Sequence, residues 1–236
     1  MNLRALTLAL FLTGPVQAAE CRLALALALD VSSSVDDRED ALQRQGLAAA
    51  LISPTVVNAF FVSDQPVALA VYEWSGRYNQ ELLLDWRLIT NRAELLNVAE
   101  TISQSQRSQN EFPTAMGYAL GYGAGLLNRA PPCLFQTIDM AGDGENNEGF
   151  PPSAAYAEFP FEGVTVNGLV VNGADYEAEI NLIDYYRDNV LYGSGAFLVI
   201  AQGFEDYERA IRRKLERELG TRILGSDAQP RSAHPS

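Results

Sequence analysis

The hydrophobic pattern of the chain alternates between short apolar runs and longer, more polar segments. Leu23 to Leu29 reads LALALAL, stops abruptly at Asp30 and is followed by three serines. A bounded apolar run of this length fits either a buried strand or a piece of buried helix. Polar, cap-forming residues and then a charged, helix-compatible segment from Val35 come next. That order favours a buried parallel strand, a turn and a helix. Asp30, Ser32 and Ser34 then lie on the loop at the carboxyl end of the strand, where ligands bind in open α/β sheets.

The same alternation continues to the end of the chain. Ser34 predicts a helix cap, with Asp37 and Glu39 near the positive end of a helix running to Leu51. Pro54 restarts a short helical piece to Phe61. Val67–Trp74 and Gln80–Leu88 read as strands joined by a short turn at Ser75-Gly76, hence an antiparallel hairpin. Asn91 caps a helix to Ser105 with a usable apolar face. A polar loop, 106–113, leads to Thr114 and a glycine-containing helix that Pro131-Pro132 ends. Cys133–Met140 is the fourth strand, followed by a loop over 141–148 and a short helix over 152–159. Val164–Val171 is the fifth strand, Tyr176–Asn189 a helix, Gly195–Ala201 the sixth strand and Phe204–Leu219 a last helix. Strands alternating with helices predict an α/β fold: a doubly wound, mostly parallel six-stranded sheet in order 3-2-1-4-5-6, strand three antiparallel, flanked by helices.

Gly117, Gly121 and Gly125 recur every four residues and share one helical face. A dinucleotide fingerprint follows a strand and opens a helix, whereas these glycines lie inside one. The expectation is that their face packs closely on the sheet.

The first eighteen residues change the picture of where the protein works. Arg4, the apolar Leu6–Leu12 and the small-residue site Val16-Gln17-Ala18 read as a signal peptide. Its apolar core is shorter than the roughly 20 residues a membrane span needs. The expected organisation is a signal peptide over 1–18, one domain over 19–224 and a disordered Gly/Ser/Pro-rich tail over 225–236. The protein is therefore expected to be exported, to the periplasm or the cell exterior. The full chain carries a net charge of −13, or −14 once Arg4 is removed with the leader. This argues against nucleic acid and anionic membrane surfaces as partners and suits cation binding.

Cys21 and Cys133 are the only two cysteines. An even count in an oxidising compartment suggests a disulfide. Both lie at the amino-terminal edge of neighbouring strands one and four, which supports that pairing. The single histidine, His234, sits in the tail. A zinc site and a Ser-His-Asp triad are thereby disfavoured.

Three loops carry candidate chemistry: Asp30, Ser32 and Ser34 on the first, Thr114 on the second, Asp143 on the third. Singly, the hydroxyls read as helix caps and Asp143-Gly144 as a turn. Together, two carboxylates and three hydroxyls are hard oxygen donors suited to Mg²⁺ or Mn²⁺, and less to Ca²⁺ with its larger shell. This arrangement resembles the von Willebrand factor type A (vWA) domain. Its metal-ion-dependent adhesion site (MIDAS) has the pattern D-x-S-x-S, then a threonine, then an aspartate often followed by glycine. Asp30-Val31-Ser32-Ser33-Ser34, Thr114 and Asp143-Gly144 match it. The phrases Val71–Gly76, Gly142–Asn147 and Gly203–Tyr207 are similar to a domain-of-unknown-function family of exported bacterial proteins with this fold.

The resemblance implies a divalent cation, bound directly by Ser32 and Ser34, and by Thr114, Asp30 and Asp143 directly or through water. It further implies a partner protein whose acidic side chain completes the metal shell, with no catalysis. Asp139 and Glu73 fall inside strands, either as a second shell orienting the serine loop or as structural hydrogen-bond acceptors. Two other functions compete: a metal-assisted, phosphatase-like hydrolase using the same pocket, and a scaffold whose site is vestigial. The hydrolase lacks a histidine to activate a serine, and Ser32 stands where an aspartyl phosphatase would place its second acid. The complete five-residue set argues against a vestigial site.

Overall fold

The computed structural model describes residues 20–173 and 178–224. The expected leader, the tail with His234 and the start of the predicted helix at Tyr176 lie outside them.

Six strands form one sheet: β1 (Cys21–Asp30), β2 (Val67–Trp74), β3 (Gln80–Ile89), β4 (Cys133–Gly142), β5 (Val164–Val171) and β6 (Leu198–Ala201). Their order is β3-β2-β1-β4-β5-β6. Only β3 runs antiparallel to its neighbour, and its ladder with β2 is interrupted by register shifts between Leu69 and Tyr72. The predicted topology is observed.

The apolar run Leu23–Leu29 explains the two layers. Successive side chains of a strand point to opposite faces. In β1 that sends Leu23, Leu25, Leu27 and Leu29 to one face and Ala24, Ala26 and Ala28 to the other. The leucine face is covered by α1 (Asp37–Leu51), α2 (Pro54–Phe60), α3 (Arg92–Gln104) and the last helix, Tyr207–Leu224. The alanine face is covered by α4 (Met116–Leu127), α5 (Pro152–Glu158) and α6 (Ala178–Tyr185), which continues as a π-helical turn over Tyr186–Val190. The last helix is α7, and a 3₁₀ turn over Phe204–Asp206 introduces it.

The glycines of α4 divide differently from the expectation. Gly123 is the one against the sheet: a methyl there would lie 2.7 Å from Tyr72 Oη and 2.8 Å from Ile138 Cδ1. Gly117 and Gly121 instead admit Phe150 and Phe159, from the segment around α5, and Gly125 touches nothing. A four-residue stripe marks a face, but here a loop and a short helix cover it.

Other boundaries also shift for local reasons. The cap of α1 is Asp36 and not Ser34: Asp36 accepts from Glu39 N at 2.8 Å and Glu39 accepts from Asp36 N at 2.9 Å. This is a reciprocal capping box. It leaves the Ser34 hydroxyl free to turn toward Asp143. β6 begins three residues late, because Gly193 (φ +83°) and Gly195 (φ +75°) leave the extended region just before it. α7 runs five residues past the predicted Leu219.

Cys21 and Cys133 are the first residues of β1 and β4, are register partners and form the disulfide, with Cα atoms 4.5 Å apart. The bond staples the amino-terminal edge of the two central strands. Asp30 and the 142–143 turn lie at the opposite edge, where the order of strands reverses on either side of β1 and β4. Among the described residues no helix is long and apolar enough to cross a membrane.

Candidate metal centre

Asp30 is the last residue of β1 and is fully buried, where the sequence placed it on the loop after the strand. Its Oδ1 accepts from Ser32 N at 2.8 Å, which folds the chain into a tight turn directly after the strand. Its Oδ2 is buried and makes no hydrogen bond. Ser32 is buried and Ser34 exposed; their hydroxyl oxygens lie 3.0 Å apart. The Ser34 hydroxyl donates to Asp143 Oδ1 at 2.7 Å. Four of the five predicted residues are thus joined in one chain of contacts: Asp30 to Ser32, Ser32 to Ser34, Ser34 to Asp143.

Thr114 approaches from the other side. A methyl on Gly144 would sit 3.4 Å from Thr114 Oγ1, so the buried threonine hydroxyl lies beside the Asp143-Gly144 turn. Its role as a cap is overturned, since the cap of α4 is Ala115, without a side-chain bond. Thr114 is instead clamped through its backbone. Its N–H donates to Asn147 Oδ1 at 2.9 Å, and its carbonyl accepts from Asn147 N at 2.9 Å and Glu148 N at 3.2 Å. Asn146 Oδ1 accepts from Gly117 N at 3.2 Å. The two asparagines therefore join the third loop to the second and also satisfy the start of α4, whose first N–H groups lack helical partners.

Two carboxylates close together and largely buried repel each other and are costly to ionise. Burial, and then the charge of Asp143, push the Asp30 carboxyl up to about 8, against the hydrogen bonds from Ser32. Asp143 is also raised, by burial and by Glu39, with the Ser34 hydroxyl opposing. Among the described residues no ion pair joins either carboxylate to a Lys or Arg.

This arrangement fits a small divalent cation on two grounds. Adjacent oxygens of an octahedral shell with bonds of about 2.0–2.1 Å lie roughly 2.8–3.0 Å apart. The Ser32–Ser34 and Ser34–Asp143 separations, 3.0 and 2.7 Å, are close to that spacing. The orphaned Asp30 Oδ2 also lacks the partner that a buried carboxylate oxygen requires. Among the described residues no three His, Cys, Asp or Glu side chains come together, so any cation here would depend on hydroxyls.

The two strand-borne acids lie elsewhere. Asp139 pairs with Lys214 at 2.5 Å, in a buried cluster with Glu218 beneath α7. Glu73 pairs with Arg44, and its Oε2 accepts from Ser108 N at 2.9 Å. It touches the loop before Thr114 and none of the five candidate ligands.

Sequence reasoning missed three contributors. Gly142 leaves no room for a side chain: a methyl there would meet Tyr186 Oη at 2.5 Å and Asp30 Oδ2 at 2.8 Å. Tyr186, presented by the π-helical turn, therefore places a buried hydroxyl close to Asp30. Arg107, in the loop read only as polar, reaches the backbone of the serine loop. Glycine on both sides of Asp143 was the one signal of crowding visible beforehand. A crevice of about 330 Å³ opens beside Asp143, lined by Glu39, Val171, Gly173, Gly203, Phe204 and Glu205.

The family described as "Protein of unknown function (DUF1194)" matches residues 20–223. The comparison with curated proteins found no match. Among solved structures, a von Willebrand factor type A protein from Catenulispora acidiphila is similar at TM-score 0.61 and 14% identity, over 85% of this chain and 43% of that one. The PilB minor pilin from Streptococcus sanguinis is similar at TM-score 0.60 and 14% identity, over 92% of this chain and 65% of that one. Proximal thread matrix protein 1 from the mussel byssus, in a form described as having a zinc-occupied MIDAS motif, is similar at TM-score 0.57 and 16% identity, over 86% and 48%. The chain spans less than two thirds of each of these proteins. The likeness establishes the fold, that of the vWA domain.

Proposed function

The chain belongs to the DUF1194 family of unknown function, and from that premise we propose that it is an exported, divalent-cation-dependent protein-binding module of the adhesion type. The observation that carries this reading is the contact chain from Asp30 through Ser32 and Ser34 to Asp143, with Asp30 Oδ2 buried and unpartnered. Asp30, Ser32, Ser34, Thr114 and Asp143 would hold the ion. Hydroxyls and carboxylates without His or Cys favour Mg²⁺ or Mn²⁺ over zinc. The bound ion would supply an electrophilic position for an acidic side chain of the partner.

The protein's own residues do the rest. Neutral hydroxyls contribute no charge, so two carboxylates alone offset a dication whose shell they share with three neutral donors. Burial at the carboxyl ends of β1 and β4 keeps water from competing on the inner side. The leader-like residues 1–18, the disulfide and structural neighbours named as a pilin and a thread matrix protein support an exported, non-enzymatic role.

The test is affinity capture of periplasmic and secreted proteins on the immobilised protein, with Mg²⁺ or with chelator, alongside Asp30→Ala. A partner retained only by the wild type with Mg²⁺ is expected. Identical capture in all three conditions would remove the metal from the function.

A further inference from the structure

We infer that Arg107 is a positioning residue that holds the serine loop in the geometry needed for the cation. The inference rests on the metal-dependent reading above and extends it to a residue outside the five-residue motif. Arg107 is nearly buried, with 11% of its side chain exposed. Its guanidinium donates from Nη1 to Val35 O at 2.8 Å and from Nη2 to Val31 O at 3.0 Å and Ser32 O at 3.2 Å. One side chain therefore binds three backbone carbonyls within the five residues that follow Asp30.

The orientation matters more than the number of bonds. With the carbonyls of Val31, Ser32 and Val35 turned toward Arg107, the Ser32 N–H is left to bond Asp30 Oδ1. The Ser32 and Ser34 hydroxyls are left to meet each other and Asp143. A planar fork with five donors can satisfy several carbonyls at fixed angles, whereas an ammonium is a point charge on a flexible stem.

Arg107 is itself held. Its Nε donates to Gln109 O at 2.8 Å. Ser108 N donates to the buried Glu73, which pairs with the buried Arg44. Arg44 in turn donates to Ser105 Oγ at 2.7 Å and to Asp40 at 2.8 and 3.0 Å. At the other end of the segment, Phe112 O accepts from Ser33 N at 2.8 Å. Segment 105–112 is thus fastened to α1 and β2 at its start and to the serine loop at its end, with Arg107 between. This gives Glu73 its place: it fixes the segment from which Arg107 reaches the serine loop.

Outer-shell partners of this kind typically change metal affinity by about 10–100-fold. The test compares wild type, Arg107→Lys and Arg107→Ala in two measurements: Mg²⁺ or Mn²⁺ titration calorimetry, and amide hydrogen exchange of the metal-free proteins. Arg107→Lys keeps the charge and borders an open crevice of about 420 Å³ shared with Asp37, Asp40 and Arg44, so it has room to fold. Expected is a metal affinity at least tenfold lower in Arg107→Ala, with Lys restoring only part. Amides of residues 31–35 should exchange faster in both variants while those of β1 stay protected. Affinities within twofold of wild type, with unchanged exchange in the loop, would overturn the inference. Full restoration by Lys would show that charge and not the fork acts, and would also overturn it. If the wild type takes up no metal, the proposed function fails, and the exchange comparison alone then decides whether Arg107 orders the loop.

Discussion

The central strand β4 and the turn that follows it place two acidic residues, Asp139 and Asp143, four positions apart in two clusters that have opposite solutions to the same problem. At Asp139 the carboxylate is buried with Glu218, and α7 supplies a fully buried cation: Lys214 lies 2.5 Å from Asp139 and 2.9 Å from Glu218. Asn167 completes that cluster, donating to Glu218 at 2.7 Å and accepting from Phe197 N at 3.1 Å. At Asp143 the carboxylate faces the buried Asp30, with hydroxyls around them and no lysine or arginine paired to either among the described residues. Burial raises the carboxyl in both places, to about 7 for Asp139 and about 8 for Asp30. In the first cluster Lys214 opposes the rise; in the second no protein cation does. The difference teaches that a protein cation pairs with the carboxylates in the sheet interior, while at its carboxyl-terminal edge none does among the described residues, which is the feature the proposed cation site builds on.

The largest expected effect tests the internal half of that contrast. Lys214→Met removes the cation that pairs with both buried carboxylates, and breaking a buried pair in this way costs about 3–5 kcal/mol. Urea unfolding at pH 7.5 should show that loss. The loss should shrink near pH 5, where Asp139 keeps its proton. A variant as stable as wild type would mean that Lys214 does not balance the cluster.

Adding the external cation tests the other half. Mg²⁺ at about a hundredfold excess over Kd should stabilise wild type by about 2.7 kcal/mol, read as a rise in melting temperature over a chelated sample. Asp30→Ala should lose this gain. In the metal-free protein at pH 7.5 it removes the Oδ1 bond to Ser32 N but also a buried carboxylate whose Oδ2 has no partner, so the two changes oppose each other and the metal-free melting temperature should change little. Ser33→Ala, exposed and between the two serines, should keep the full response. Equal responses from wild type and Asp30→Ala would sink the assignment.

The dependence on pH sharpens the comparison further. The metal-free protein holds a proton on Asp30 up to about pH 8, whereas the unfolded chain releases it near pH 4. The contribution of Asp30 to stability is therefore fully present below pH 4 and is lost as pH rises toward 8. With Mg²⁺ the carboxylates must be ionised, so metal affinity should increase over the same interval. Calorimetric titrations at pH 5.5, 6.5 and 7.5 measure this. Affinity flat across them would place Asp30 outside the shell.

The smallest effect belongs to Ser34. Replacing it by Ala removes its hydrogen bonds to Asp143 and Ser32, each worth about 1 kcal/mol or less at this exposed position in the metal-free protein. It also removes one candidate ligand, so the weaker metal response in the melting curve should exceed the change in the metal-free melting temperature. The reverse ranking would make Ser34 a purely structural contact.

Much of this molecule was legible in the chain because local periodicity encodes which face of an element is buried. The LALALAL run together with the cap-forming residues after it favours a strand, whose alternation then puts leucines on one face and alanines on the other, and the short link at Ser75-Gly76 indicates an antiparallel hairpin. The spacing of Asp30, Ser32 and Ser34 determines that three oxygen groups leave one strand end together. Alternation of strands and helices then leaves few topologies, and the one observed was among them. What covers a face is a different kind of information, set by packing between segments far apart in sequence. Only the tertiary structure brought Lys214 under Asp139, seventy-five residues away, and Phe150 and Phe159 onto the glycines of α4. Only it showed Asp36 and not Ser34 capping α1, and Asp30 buried within the end of β1 and not on the loop beyond it. Arg107 was unremarkable in a polar loop, because a guanidinium gripping backbone carbonyls leaves no pattern in the residues it grips. Carbonyls are common to every residue, so such contacts follow from the folded path of the chain and not from its side-chain sequence.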